Sequence, residues 1–103
     1  MLARPTKPEL YQYNETLVED SLALFICSTQ GGNPIPTFTW FINQIPINNS
    51  FYTVSPNTSE LRLPLEKRFH NGQLICQVNN QALDSPLSTS TTLNIQCKRK
   101  KFF

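Results

Sequence analysis

Three residues constrain this chain more than any others: Cys27, Trp40 and Cys76. Each lies in a short run where apolar side chains recur at every second position. In residues 21–28 the recurring set is Ala23, Phe25 and Cys27; in 37–43 it is Phe38, Trp40 and Ile42; in 73–79 it is Leu74, Cys76 and Val78. Successive side chains of a strand point to opposite faces, so each trio shares one face and the three can meet in one buried layer. The competing account is two unrelated buried thiols and a core indole.

The rest of the chain reads as strands separated by turns. Residues 4–13 carry Pro5 and Pro8 and then a short mixed strand, as suits a sheet edge where no ladder donor is needed. Residues 14–21 read as a turn. The strand at 22–28 has an outward set, Leu22, Leu24 and Ile26, that is also apolar, unusual where one face meets water. Either that face is a contact surface, or the first strand or a neighbouring domain covers it. Gly31-Gly32 with Pro34 and Pro36 marks a turn into the strand at 37–43. Residues 44–59 leave room for one short strand around Phe51–Val54. The next strand sends Leu61, Leu63 and Leu65 inward and Pro64 outward. A corner at 67–72 leads into 73–79, and a last strand at 88–96 has Thr91, Leu93 and Ile95 inward. About seven antiparallel strands in two sheets follow: an all-β sandwich, without internal repeats or a second domain. Residues 1–4 read as an N-terminal extension, 5–97 as one domain and 98–103 as a basic, disordered tail.

Composition narrows the function. A chain of 103 residues buries about 60–65% of its unfolded surface, enough for one core with a thin margin. Four of its cations, Lys98, Arg99, Lys100 and Lys101, fall in the last six residues; without them five basic face seven acidic residues, near −2. The body therefore offers no phosphate-tracking surface, and no nucleic-acid partner is expected. His70 is the only histidine and the carboxylates are scattered, so neither a His-based metal cluster nor a Ser-His-Asp triad has material. No Gly-rich phosphate loop is present. No enzyme and no cofactor are expected. No run approaches the roughly 20 apolar residues of a membrane span, and the first ten residues lack the apolar core of a signal peptide. With three cysteines, the simplest account is an extracellular piece of a longer secreted or membrane-anchored parent, Met1 being an added start residue.

Over residues 5–96 the chain resembles the immunoglobulin superfamily, of C2 or I type because the interval from Trp40 to Leu61 is too short for the two extra strands of a variable domain. More narrowly, "CSTQGGNPIPTFTWFINQIPI" and "HNGQLICQVNN" are similar to segments of adhesion receptors such as nephrin and its Kirre-like partners. The resemblance implies a Cys27–Cys76 disulfide between the sheets, packed against Trp40, with Phe25, Phe38, Leu61, Leu63, Leu74, Val78 and Leu93 in the core. It also implies recognition of another protein, a cell-surface receptor or a second copy, outside the cell. The alternatives are a spacer domain like those of muscle, which do not rely on an oxidised bridge, and a secreted decoy. Two features depart from the pattern: the Asp usual near the corner before the second Cys is missing from residues 68–73, and so is the corner tyrosine. Most members carry a Tyr two positions before the second Cys, where Leu74 stands here, so Arg68 or His70 is expected to hold that corner.

Three kinds of surface residue remain. Sequons at Asn14, Asn48 and Asn57 fall in expected loops or edges and are glycosylation candidates. In the implied fold the outward residues Thr39, Phe41, Ile75 and Gln77 gather on one sheet face, with Phe41 and Ile75 as neighbours. That face is the candidate protein-binding site. Cys97 has no partner left; it is either semi-buried at the end of the last strand or a free thiol open to another chain.

Overall fold

A computed structural model describes residues 1–97 of the chain, so the expectation for 98–103 lies outside the described residues. Twelve strands occur in the order β1 (Ala3–Pro5), β2 (Glu9–Gln12), β3 (Leu17–Val18), β4 (Leu22–Ser28), β5 (Gly31–Asn33), β6 (Thr37–Ile42), β7 (Ile45–Pro46), β8 (Tyr52–Ser55), β9 (Thr58–Pro64), β10 (Gln73–Asn79), β11 (Leu87–Thr92) and β12 (Ile95–Gln96). Eight of them build two antiparallel four-stranded sheets, ordered β2-β4-β9-β8 and β11-β10-β6-β7.

Alternation along the long strands makes the core. β4 buries Ala23, Phe25 and Cys27, β6 buries Phe38, Trp40 and Ile42, and β10 buries Leu74, Cys76 and Val78. Leu61 and Leu63 of β9, Leu65 just beyond it, and Leu93 join the same cluster. Trp40 and Cys76 stand directly opposite each other on adjacent strands. The Cys27–Cys76 bond, with 6.5 Å between the Cα atoms, ties β4 to β10 through this layer.

The expected strands are cut more finely than the sequence suggested. The stretch 4–13 is two strands in different sheets: β1 pairs with β5, while β2 pairs with β4. Prolines 5 and 8 carry no N–H, so a continuous ladder cannot run through them. Between the two strands Thr6 N–H donates to the Gln30 carbonyl at 2.9 Å. Ala3 and Arg4, expected in an extension, are thus strand residues. The turn at 30–36 contains the other half of that ribbon. Gly31 and Gly32 do take positive φ, +70° and +97°, and a Cβ on Gly32 would stand 2.8 Å from the Pro36 ring.

Residues 14–21 are not all turn. Leu17 is buried, and β3 runs parallel to β12 through the registers Leu17–Ile95 and Val18–Gln96. The last strand is therefore split: β11 belongs to the β10 sheet, and β12 leaves it for β3. Thr91 is half-buried, whereas Leu93 and Ile95 are buried. Cys97, whose parity matched theirs, is exposed, one residue past the last pairing at Gln96.

The interval 44–59 holds two strands, not one. Asn43 and Gln44 both take positive φ, the geometry of a type I′ turn, and fold β7 back on β6. Phe51 closes a short 3₁₀ turn, so β8 begins one residue later than expected, at Tyr52. At the corner before β10, His70 does the tyrosine's work: its Nδ1 accepts the Ile95 N–H at 3.0 Å. Arg68 instead pairs with Glu66 and lies over the Phe69 ring.

Candidate protein-binding face

The core fixes the outer face of the β11-β10-β6-β7 sheet. Because Phe38, Trp40 and Ile42 point inward, Thr37, Thr39 and Phe41 point out; because Leu74, Cys76 and Val78 point inward, Gln73, Ile75, Gln77 and Asn79 point out. The register places Phe41 opposite Ile75, with Pro46 of β7 on one side and Ser90 of β11 on the other. The next row is Thr39, Gln77 and Ser88. Phe41, Ile75, Thr39 and Gln77 are half-buried, each shielded by its neighbours. Gln73 Nε2 reaches diagonally to Ser90 Oγ at 3.2 Å.

No outward residue of these four strands is ionisable, so the face pairs an apolar row, Pro46-Phe41-Ile75, with a row of neutral hydrogen-bonding groups. Burying it against a partner strands no charge, the costliest group to desolvate. Charge depletion at the centre is also the compositional mark of interface cores. The other sheet differs. Its outer face carries Glu9, Glu60 and Arg62, the last two paired at 3.3 Å, beside the apolar stripe Leu22, Leu24 and Ile26. β2 lies beside β4 and does not cover that stripe, which leaves Leu22 exposed.

The sequons avoid the neutral face. Asn14 follows β2 and its Oδ1 accepts the Leu24 N–H at 2.9 Å. Exposed Asn48 accepts the Ser50 N–H ahead of β8, and Asn57 sits at positive φ in the turn from β8 to β9.

Two further carboxylates, Glu66 and Glu9, take part in local hydrogen bonds. The hydrogen bond that Arg68 donates to Glu66 holds the Glu66 carboxyl below its usual range and raises the guanidinium. The Tyr11 hydroxyl donates to Glu9, and that bond raises the phenol. Among the described residues no group of histidine, cysteine and carboxylate side chains could hold a metal ion. An apolar cleft of about 420 Å³ opens beside β7, lined by Ile42, Ile45, Ile47, Phe51, Leu63 and Phe69 among others.

One structural residue escaped the sequence reading. Trp40 Nε1 donates to Ser59 Oγ at 2.9 Å, and that hydroxyl donates on to the Thr53 carbonyl at 2.8 Å. Ser59 stands at the hydroxyl position of the Asn57 sequon, yet the inward alternation Leu63, Leu61, Ser59 places it in the core. Ser59→Ala is expected to cost about 1–3 kcal/mol by leaving a buried indole N–H unpaired. Urea titration beside Asn57→Gln, which removes the same sequon but not the hydrogen bond, separates the two roles.

Two facing antiparallel sheets, joined by a buried disulfide against a tryptophan, define an immunoglobulin-like sandwich. The C2-set model described as the CD80-like C2-set immunoglobulin domain matches residues 7–86. The chain belongs to that family. No curated protein sequence matches it as a relative. Among solved structures it is similar to Rst D1-D2, with a TM-score of 0.77 and 25% identity over 92% of this chain and 51% of that one. It is also similar to the mouse nectin-like molecule 4 ectodomain, with a TM-score of 0.78 and 20% identity over 93% and 35%. An I-band fragment of titin superposes with a TM-score of 0.73 and 25% identity over 94% and 34%. The chain thus spans about half or a third of these molecules. No described helix is long and apolar enough to cross a membrane.

Proposed function

We propose that this chain is an extracellular recognition module that binds another protein, a cell-surface receptor or a second copy, through the outer face of β11-β10-β6-β7. The observation that carries the reading is the charge-free row Pro46-Phe41-Ile75 beside Thr39, Gln77 and Ser88. The half-exposed aromatic and aliphatic pair at its centre is the kind of anchor on which binding energy concentrates. Membership of a CD80-like family supports the reading, as does likeness to a nectin-like ectodomain. Within it, the Gly31-Gly32 turn and Trp40 strand favour an adhesion receptor of the nephrin and Kirre kind. The buried disulfide suits an oxidising compartment, and glycans at Asn14, Asn48 and Asn57 would leave the face open. No catalytic role is assigned.

The test is a binding screen against cell-surface ectodomains and immobilised copies of the chain itself, followed by Phe41→Glu. That substitution is expected to weaken binding by about tenfold or more, since it buries a charge at the anchor. Undiminished binding by a folded Phe41→Glu protein would remove this face from consideration. A spacer role is the second reading, favoured by the likeness to a titin fragment. Absence of any partner in the screen supports it.

A further inference from the structure

The two sheets have four edge strands, and three are guarded. β7 is two residues long and contains Pro46; β2 begins with Glu9 directly after Pro8; β8 is four residues long and runs into Pro56. Short length, charge and proline are the usual devices that keep an exposed edge from pairing with another chain. β11 also follows a proline directly, Pro86, but it is the longest of the four edges. Its six residues Leu87–Thr92 contain no charged side chain and no proline, and β-branched threonine, a strand former, occupies three positions.

The backbone of this edge is also unpaired, although β2 of the other sheet comes close to β11. β11 pairs with β10 alone. Among the described residues, no hydrogen bond outside that ladder involves an N–H or carbonyl of residues 87–92; the extra bonds begin at Leu93, which donates to Gly72 and accepts from Asn71. Alternate backbone groups of β11 therefore face away from the sheet without a protein partner.

We propose that β11 is a self-pairing edge, which joins a second copy of this chain antiparallel and continues the β11-β10-β6-β7 sheet across a two-fold axis. Directly opposed residues must share a face, so the axis passes through Ser90 or through Thr89. With the axis at Ser90 the opposed pairs are Ser88–Thr92, Thr89–Thr91 and Ser90–Ser90, every one a hydroxyl pair. With it at Thr89 they are Leu87–Thr91, Ser88–Ser90 and Thr89–Thr89. Cross-strand hydroxyl pairs stabilise a ladder, and neither register opposes like charges. The strand is thus complementary to itself, as a two-fold interface requires. A peptide of another protein would find the same backbone, but nothing on β11 selects one. The contact is small, so the dimer is a weak one, populated at roughly 10⁻⁴ M. The inference does not rest on the Phe41 face.

The experiment is sedimentation velocity on the whole chain in a Cys97→Ser background, which removes any covalent dimer, from about 10⁻⁵ to 10⁻³ M. A concentration-dependent dimer is expected. Ser88→Lys with Ser90→Lys opposes lysines in both registers and is expected to weaken the dimer at least tenfold. The matching pair Ser88→Glu with Ser90→Glu should be equally monomeric alone, and the two variants mixed should recover a heterodimer, which misfolding would not produce. Phe41→Glu should leave the dimer intact, distinguishing this edge from the proposed binding face. A monomer at every concentration, or a dimer unchanged by the double lysine variant, overturns the proposal.

Discussion

Trp40→Ala is expected to destabilise the domain by about 3–5 kcal/mol, as truncation of a fully buried large aromatic does. The indole is wholly buried, stands opposite Cys76 on the neighbouring strand and donates to Ser59. Alanine there removes apolar surface from the layer where both sheets meet and leaves a cavity in the cluster that also holds Phe25, Leu61 and the disulfide, whose bridge limits how far the strands can close on it. The lost hydrogen bond is the smaller part. Ser59 keeps its bond to the Thr53 carbonyl, and the donor that lost its partner is deleted with the ring. Trp40→Phe is therefore expected to recover much of the loss. Urea titration of the three proteins checks the order, and a loss below about 1 kcal/mol for alanine would place the core elsewhere, since a buried aromatic cannot be removed so cheaply.

That layer was also the most legible part of the sequence, for a physical reason. A strand buried on one face must alternate, and Cys27, Trp40 and Cys76 each sit in a run long enough for the period of two to be read. The neutral face was legible by the same route, because fixing which residues point inward fixes Thr39, Phe41, Ile75 and Gln77 outward. Ladders of two or three residues carry no such period. β3, β5 and β12 exist because a distant partner is in place, Leu17 beside Ile95 and Gly31 beside Pro5, and β7 because the two-residue turn at Asn43 and Gln44 folds Ile45 back beside Ile42. The sequence likewise shows two prolines near the start of the chain but not that they divide it between two ribbons. Ser59 was hidden differently. It is a polar residue whose role depends on one atom elsewhere, Trp40 Nε1, and a sequon serine looks the same without it. His70 was one of two candidates for its corner, and only the Ile95 N–H tells it from Arg68. The openness of β11 is legible only in three dimensions, since it depends on what the other edges carry.

Removal of the bridge by Cys27→Ala with Cys76→Ala is expected to cost about 4 kcal/mol on the chain-entropy model, for a loop closed across 49 residues. A domain of this size holds about 5–15 kcal/mol in total, so the loss approaches the whole margin at the low end. The shift in Tm should be about 16–32 °C, taking about 4–8 °C per kcal/mol for a small domain. Both sulfurs are fully buried, so a thiol reductant reaches them only as the sandwich opens, and reduction should track unfolding across a denaturant series. Calorimetry of the double variant beside the oxidised protein measures the effect and bears directly on function. A recognition module working outside the cell keeps its bridge oxidised and can lean on it, whereas a spacer built for a reducing compartment must hold together by its apolar core. Loss of most of the stability therefore supports the extracellular reading. A double variant within about 1 kcal/mol of the oxidised protein would show that the bridge adds far less than its loop length allows. It would then favour the spacer role, because Trp40, Phe25 and their neighbours would suffice without it.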